Sequence, residues 1–180
     1  MLSIAFGLLF PIVYGGEFNA LVAMGMILAS WVFLVVLREV VNQYKIQGKL
    51  TLSHLGMAVA HAGIAVTIVG VTVVSMYESE TNIKMSVNDK VLVSGYGIEF
   101  KGIKNVEGPN YSAQQGQVNV YQDGEFITLL KPERRAYRVQ TMGMTEAAID
   151  PGLFRDVYVA LGDPLPDGAW AIRVHYKPFV

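Results

Sequence analysis

The sequence has no cysteine, which excludes a disulfide framework, a thiolate metal site and a cysteine nucleophile. Charge is scarce in its first part. Residues 1–77 hold Glu17, Arg38, Glu39, Lys45 and Lys49 and no other Asp, Glu, Lys or Arg; the rest of the 15 acids and 14 bases lie after Tyr77. The net charge of −1 lacks the basic excess of a nucleic-acid-binding protein, so no nucleic-acid partner is expected. Nucleophile motifs, phosphate-binding loops and metal-ligand spacings are missing too.

What remains in the first part is apolar. Phe18 to Leu37 is an uncharged run of 20 residues, about 30 Å as a helix, which is the thickness of a bilayer's hydrocarbon core. Leu50 to Tyr77 is a second uncharged run, of 28 residues. The pattern predicts a transmembrane region over residues 1–77, with helices at about 18–38 and 53–77 and a loop at 38–53. Arg38, Lys45 and Lys49 lie in that loop. Short loops rich in Lys and Arg stay in the cytoplasm, so everything after Tyr77 is expected on the opposite side. Residues 2–14, LSIAFGLLFPIVY, are too few to span as a helix. They lack the basic flank and cleavage site of a signal peptide. They read as a re-entrant or interfacial segment, or as the tail of a longer transmembrane helix.

Within MAVAHAGIAVTIVG (residues 57–70) the one ionisable side chain is His61. Polar rings at membrane depth are rare and usually face protein rather than lipid. Gly56, Ala60, Gly63, Thr67 and Gly70 form a stripe of small residues through which another helix can approach. Two readings of His61 stay open on these grounds: a hydrogen bond that joins two helices, or a proton relay or axial ligand to a metal or haem. His54, seven residues earlier, belongs at the interface, where a histidine needs no special role. Trp31 reads as lipid-facing or packing.

Residues 78–180 read as a small all-β domain, a barrel or a sandwich. Strands are expected at 82–87, 91–94, 97–103, 117–121, 126–130, 156–161 and 170–176. Asp123-Gly124 between two of them supplies the positive φ of a tight hairpin turn. Only Met144 to Ile149 suggests a helix. KPERRAYR (131–138) reads as a solvated strand edge, or alternatively as a binder of carboxylates or lipid phosphates. His175 reads as an ordinary strand residue, and Glu146, Asp150 and Asp156 have no partner that marks a catalytic pair.

In chain order come GMAVAHAGIAVTIVGVTVVS (56–75), GPNY (108–111), MTEAAIDPGLFRDVYVALGDPLPDGAW (144–170) and YKPFV (176–180). This series resembles the C-terminal part of the CcmF family, the haem lyase subunit of the bacterial cytochrome c maturation pathway called System I. The related haem lyase subunit dedicated to nitrite reductase assembly is a close second. The resemblance covers essentially the whole chain. It implies a multi-pass inner-membrane protein with its C-terminal domain in the periplasm. It also implies a b-type haem held between two transmembrane histidines and haem received from the chaperone CcmE in its holo form. With CcmH and CcmI, the haem is attached to the CXXCH cysteines of apocytochrome c. His61, in its AHAG context, matches the second transmembrane haem ligand, which makes it the expected cofactor-binding residue and axial ligand to the haem iron.

The other transmembrane ligand, the two external histidines and the tryptophan-rich haem-handling motif have no counterpart here, and the family continues past YKPFV into a further helix. The expectation is a fragment of a longer family member, or one half of a split one, that needs the remaining portion of CcmF and does not attach haem by itself. The competing expectation is a membrane-anchored β module that only binds partners, with His61 joining helices.

Overall fold

In the computed structural model, which describes residues 1–139 and 143–179, the chain divides into two units, residues 1–77 and 78–180. The first holds three helices: α1 (Leu2–Gly15), α2 (Ala20–Gln47) and α3 (Leu52–Tyr77). Helix α2 starts where Asn19 Oδ1 accepts from the backbone N–H groups of Leu21 and Val22, at 3.0 and 3.2 Å. It stops at Gly48, which turns left-handed at φ 69°. Between these signals nothing breaks it. The helix therefore runs ten residues past Leu37, and the connection to α3 is the short stretch 48–51 rather than a loop over 38–53. The end of the apolar run is a change of solvent, not of backbone geometry; REVVNQYKIQ (38–47) forms helix well, and Gln43 bonds Glu39 one turn back at 3.0 Å. Thr51 caps α3, its Oγ1 accepting from His54 N–H at 3.3 Å.

Helices α2 and α3 are each long and apolar enough to cross a membrane. Residues 2–14 fall in α1, a helix of about 21 Å at 1.5 Å per residue, packed on α2. Glycine sets these contacts. A Cβ on Gly7 would lie 2.3 Å from Ile27 Cγ1, and one on Gly25 would lie 2.4 Å from Thr72 Oγ1. The helices thus meet backbone to side chain, as small residues permit in a membrane. Ser30 Oγ lies 2.6 Å from the carbonyl of Met26 in its own helix and 3.4 Å from that of Ser3 in α1. Val22, Met26 and Val73 are buried where α2 meets α3.

The second unit is a β-sandwich with ten strands among the described residues: β1 (Ser79–Met85), β2 (Lys90–Val93), β3 (Tyr96–Glu107), β4 (Tyr111–Gln122), β5 (Glu125–Leu130), β6 (Glu133–Tyr137), β7 (Gly143–Glu146), β8 (Ala148–Pro151), β9 (Arg155–Pro164) and β10 (Trp170–Pro178). One sheet runs β1-β10-β9-β8. The other runs β2-β3-β4-β6-β7, with β5 also on β4. Alternation builds the core: Ile98 and Phe100, Val118 and Val120, Val157, Val159 and Leu161, Ile172 and Val174 point inward from both sheets. The hairpin turn has Asp123 at φ 52° and Gly124 at φ 85°, the two positive angles of a type I′ turn.

Two sequence expectations are corrected here. Met144–Ile149 is not a helix. All but Ala147 fall in β7 and β8, where Thr145 pairs with Arg134 and Ile149 with Tyr158; six residues are too few to nucleate a helix against two available sheet partners. KPERRAYR is not a sheet edge, because β6 lies between β4 and β7.

Candidate functional site

His61 lies mid-way along α3 with its side chain exposed. Its Nδ1 is 2.9 Å from the carbonyl oxygen of Met57, one turn earlier. A carbonyl only accepts, so Nδ1 carries the proton, and in the neutral ring Nε2 keeps its lone pair. A histidine that ligates through one nitrogen typically donates from the other to a carbonyl or carboxylate, and His61 holds that arrangement. Ala58 and Ala65, at minus three and plus four, are buried and put no bulk beside the ring; Met57 and Ile64 offer apolar surface. The nearest residues therefore suit a large apolar planar ligand bound through a neutral imidazole. The ring has no bond to α1 or α2 among the described residues, so it does not join the helices of this chain.

His54 is set differently. Its Nδ1 is 2.7 Å from Thr51 Oγ1 in the first turn of α3, and the residue is half-buried. The small-residue stripe lies away from α2: Gly56, Ala60, Gly63 and Thr67 are exposed, and a Cβ on Gly56 or Gly63 would meet nothing within 4 Å.

In the β unit the charged side chains are largely occupied with one another. Glu99, on the outer face of β3, is buried nonetheless. It accepts from Tyr121 Oη at 2.8 Å and Asn119 Nδ2 at 3.1 Å, and it pairs with Lys90 and Lys101. The Tyr121 hydrogen bond first, then those from Asn119 and the two lysines, hold its carboxyl down at about 2. In β6, Glu133 accepts from Gln115 and Arg135, both at 2.7 Å, which lowers its pKa. Arg135 also stacks 4.5 Å over the Tyr111 ring. Arg134 pairs with Asp163 at 2.7 Å, Arg155 with Asp150 at 2.5 Å, and His175 with Glu78 at 3.3 Å. These are structural pairs, and the described residues contain no group of three or more His, Asp or Glu able to hold a metal ion. Sequence reasoning missed the Glu99 network. The available signal was a lone acid between Ile98 and Phe100, two residues whose side chains face the core.

Residues 76–178, more than half of the chain, match the family model described as the CcmF C-terminal beta-sandwich. The chain belongs to the CcmF family. It is 45% identical over 173 residues to the cytochrome c-type biogenesis protein CcmF of Pseudomonas aeruginosa, covering 93% of this chain and 26% of that protein. It is 38% identical over 178 residues to CcmF of Escherichia coli, covering 99% of this chain and 28% of that protein. The chain thus spans about a quarter of the length of these relatives. Its fold matches a solved structure of cytochrome c heme lyase CcmF with a TM-score of 0.75 at 14% identity, over 98% of this chain and 30% of that one. The fold of each unit is therefore one that CcmF shares.

Proposed function

We propose that this chain is the C-terminal part of a haem lyase of cytochrome c maturation, and that His61 is an axial ligand to a b-type haem held in the membrane. The single observation that carries the reading is the state of His61. It is the one ionisable side chain within the core of α3, and its open Nε2 is set by the Nδ1–Met57 bond. A bound haem supplies the redox-active iron. His61 supplies the lone pair and fixes the ligating edge of its ring, while the apolar side chains around it exclude water. A second ligand would come from the remaining portion of CcmF. The partners in this reading are CcmH and CcmI, holo-CcmE as haem donor, and apocytochrome c as acceptor. The chain sits in the bacterial inner membrane with residues 38–51 in the cytoplasm and the sandwich in the periplasm.

The test compares His61→Ala with His54→Ala in the complete protein. Axial ligation sets the spin state and potential of a haem iron, so losing it is read directly in the reduced-minus-oxidised spectrum. His61→Ala is expected to abolish or shift the b-haem bands and to stop cytochrome c maturation; His54→Ala leaves both in place. A normal spectrum in His61→Ala refutes the ligand assignment and leaves contact with a helix outside this chain as the better account of the residue.

A further inference from the structure

The turn between β8 and β9 exposes apolar side chains that the sandwich does not use. Leu153 is 90% exposed and Phe154 67% exposed. Phe179 joins them, its ring edge-on to that of Phe154 at 5.9 Å and its N–H donating to the Phe154 carbonyl at 2.8 Å. The turn beneath is held from within. Arg155 Nη1 donates to the Asp150 carbonyl at 2.8 Å, and Gly152 N–H donates to Asp156 Oδ1 at 3.1 Å. Two of its backbone polar groups are bonded in this way while Leu153 and Phe154 stay exposed.

The sheet register says which end of the sandwich this is. Ser79 pairs with Tyr176, Tyr176 with Val157, and Val157 with Asp150. The Leu153–Phe154 turn, the Phe179 ring and the start of β1 therefore share one end of the four-stranded sheet. Ser79 is two residues along the chain from Tyr77, the last residue of α3, a reach of about 7 Å. The turn lies two strands across from β1, about 10 Å at the usual strand spacing. Of the acids at this end, Asp150 pairs with Arg155, Glu78 lies 3.3 Å from His175 Nε2, and Asp156, opposite Lys177 in the sheet register, accepts from Gly152 N–H and Tyr158 Oη. Lys177, whose ammonium lies 5.5 Å from the Tyr158 ring centroid, has no acidic partner among the described residues.

We infer that Leu153, Phe154 and Phe179 enter the headgroup region of the bilayer that α3 crosses and hold the sandwich down on the phospholipid surface. The inference rests on the reading that α3 spans the membrane. Aromatic and aliphatic side chains at that depth are anchors of the kind found at membrane interfaces, and a neighbouring lysine suits the lipid phosphate.

The absence of native cysteine allows one fluorophore per molecule. The full chain, carrying NBD on Leu153→Cys, Asp123→Cys or Val66→Cys, is reconstituted into phosphatidylcholine–phosphatidylglycerol vesicles containing lipid with a shallow nitroxide quencher, and separately a deep one. Leu153→Cys is expected to emit to the blue of Asp123→Cys, with several-fold stronger quenching by the shallow nitroxide. Adding Phe154→Asp to that chain should cut the quenching by at least half. Val66→Cys, mid-way along α3, should respond to the deep nitroxide, and its failure to do so overturns the spanning reading itself. With Val66 quenched, a Leu153 probe as wet as the Asp123 one overturns the inference. So does a Leu153 probe shielded from water but untouched by either quencher, which points to a protein contact instead.

Discussion

A carboxylate on the outer face of a β-sheet normally stays in water, yet Glu99 is only 6% exposed. It is tolerated because each lone pair is met: Tyr121 and Asn119 donate from β4 and Lys90 and Lys101 neutralise it. Its folded pKa, about 2, lies below the ordinary carboxyl value of 4.5. A depressed pKa contributes stability that is complete above the unfolded value and is lost as the pH falls through the folded one. The sandwich should therefore lose the contribution of Glu99 between about pH 4.5 and pH 2. Tyr121→Phe removes the largest of the bonds that lower the pKa, so acid unfolding, followed by Trp170 fluorescence in a Trp31→Phe background, should move to higher pH. An unchanged acid midpoint in Tyr121→Phe contradicts this account. None of this was legible in the sequence, because Tyr121 lies 22 residues from Glu99 and only the β3–β4 register brings them together. His61 is the opposite case. Its surroundings are its own helix, so the avoidance of charge on either side was enough to mark it.

Elements with a strong local signal were legible, and elements defined by their partners were not. The β4–β5 hairpin was visible because Asp123-Gly124 demands its conformation from the backbone itself. The four-residue strands β7 and β8 are too short to show alternation, so sheet pairing alone defines them. β6 misled because charge on a strand suggests solvent, whereas Glu133 and Arg135 are held by each other and by Gln115. Helix α2 misled at its end for a related reason, since a hydropathy boundary is not a helix boundary. The hairpin gives a test at this scale. Gly124 sits at φ 85° with nothing within 4 Å of an added Cβ, so space is free and only the backbone objects. Gly124→Val should destabilise the sandwich by about 1–2 kcal/mol, the cost of a left-handed angle for a residue with a Cβ. The measurement is the urea midpoint of Trp170 fluorescence in the same Trp31→Phe background. A midpoint equal to that of the parent chain shows that the turn does not set the hairpin.

At the scale of the whole molecule, the proposed orientation rests on the division of charge along the chain. The cations of the first 77 residues all lie in 38–49, which includes the C-terminal turns of α2 and the start of its connection to α3. No ion pair to Arg38, Lys45 or Lys49 occurs among the described residues, so no acid there offsets them. Insertion keeps such cationic connections in the cytoplasm, whereas the charge of a large folded domain carries little weight. In the proposed topology, orientation is set by three side chains of α2 and its connection, and the sandwich follows to the other side. Since the chain has no cysteine, single replacements report cleanly. Gln47→Cys and Asp123→Cys both occupy exposed positions. In spheroplasts, a membrane-impermeant maleimide should label Asp123→Cys at once and Gln47→Cys only after the membrane is permeabilised. Converting Arg38, Lys45 and Lys49 together to Gln should weaken that asymmetry, whereas neutralising Lys84, Lys90 and Lys101 in the sandwich leaves it intact. Labelling of Gln47→Cys in sealed spheroplasts overturns the orientation, and with it the placement of the sandwich in the periplasm.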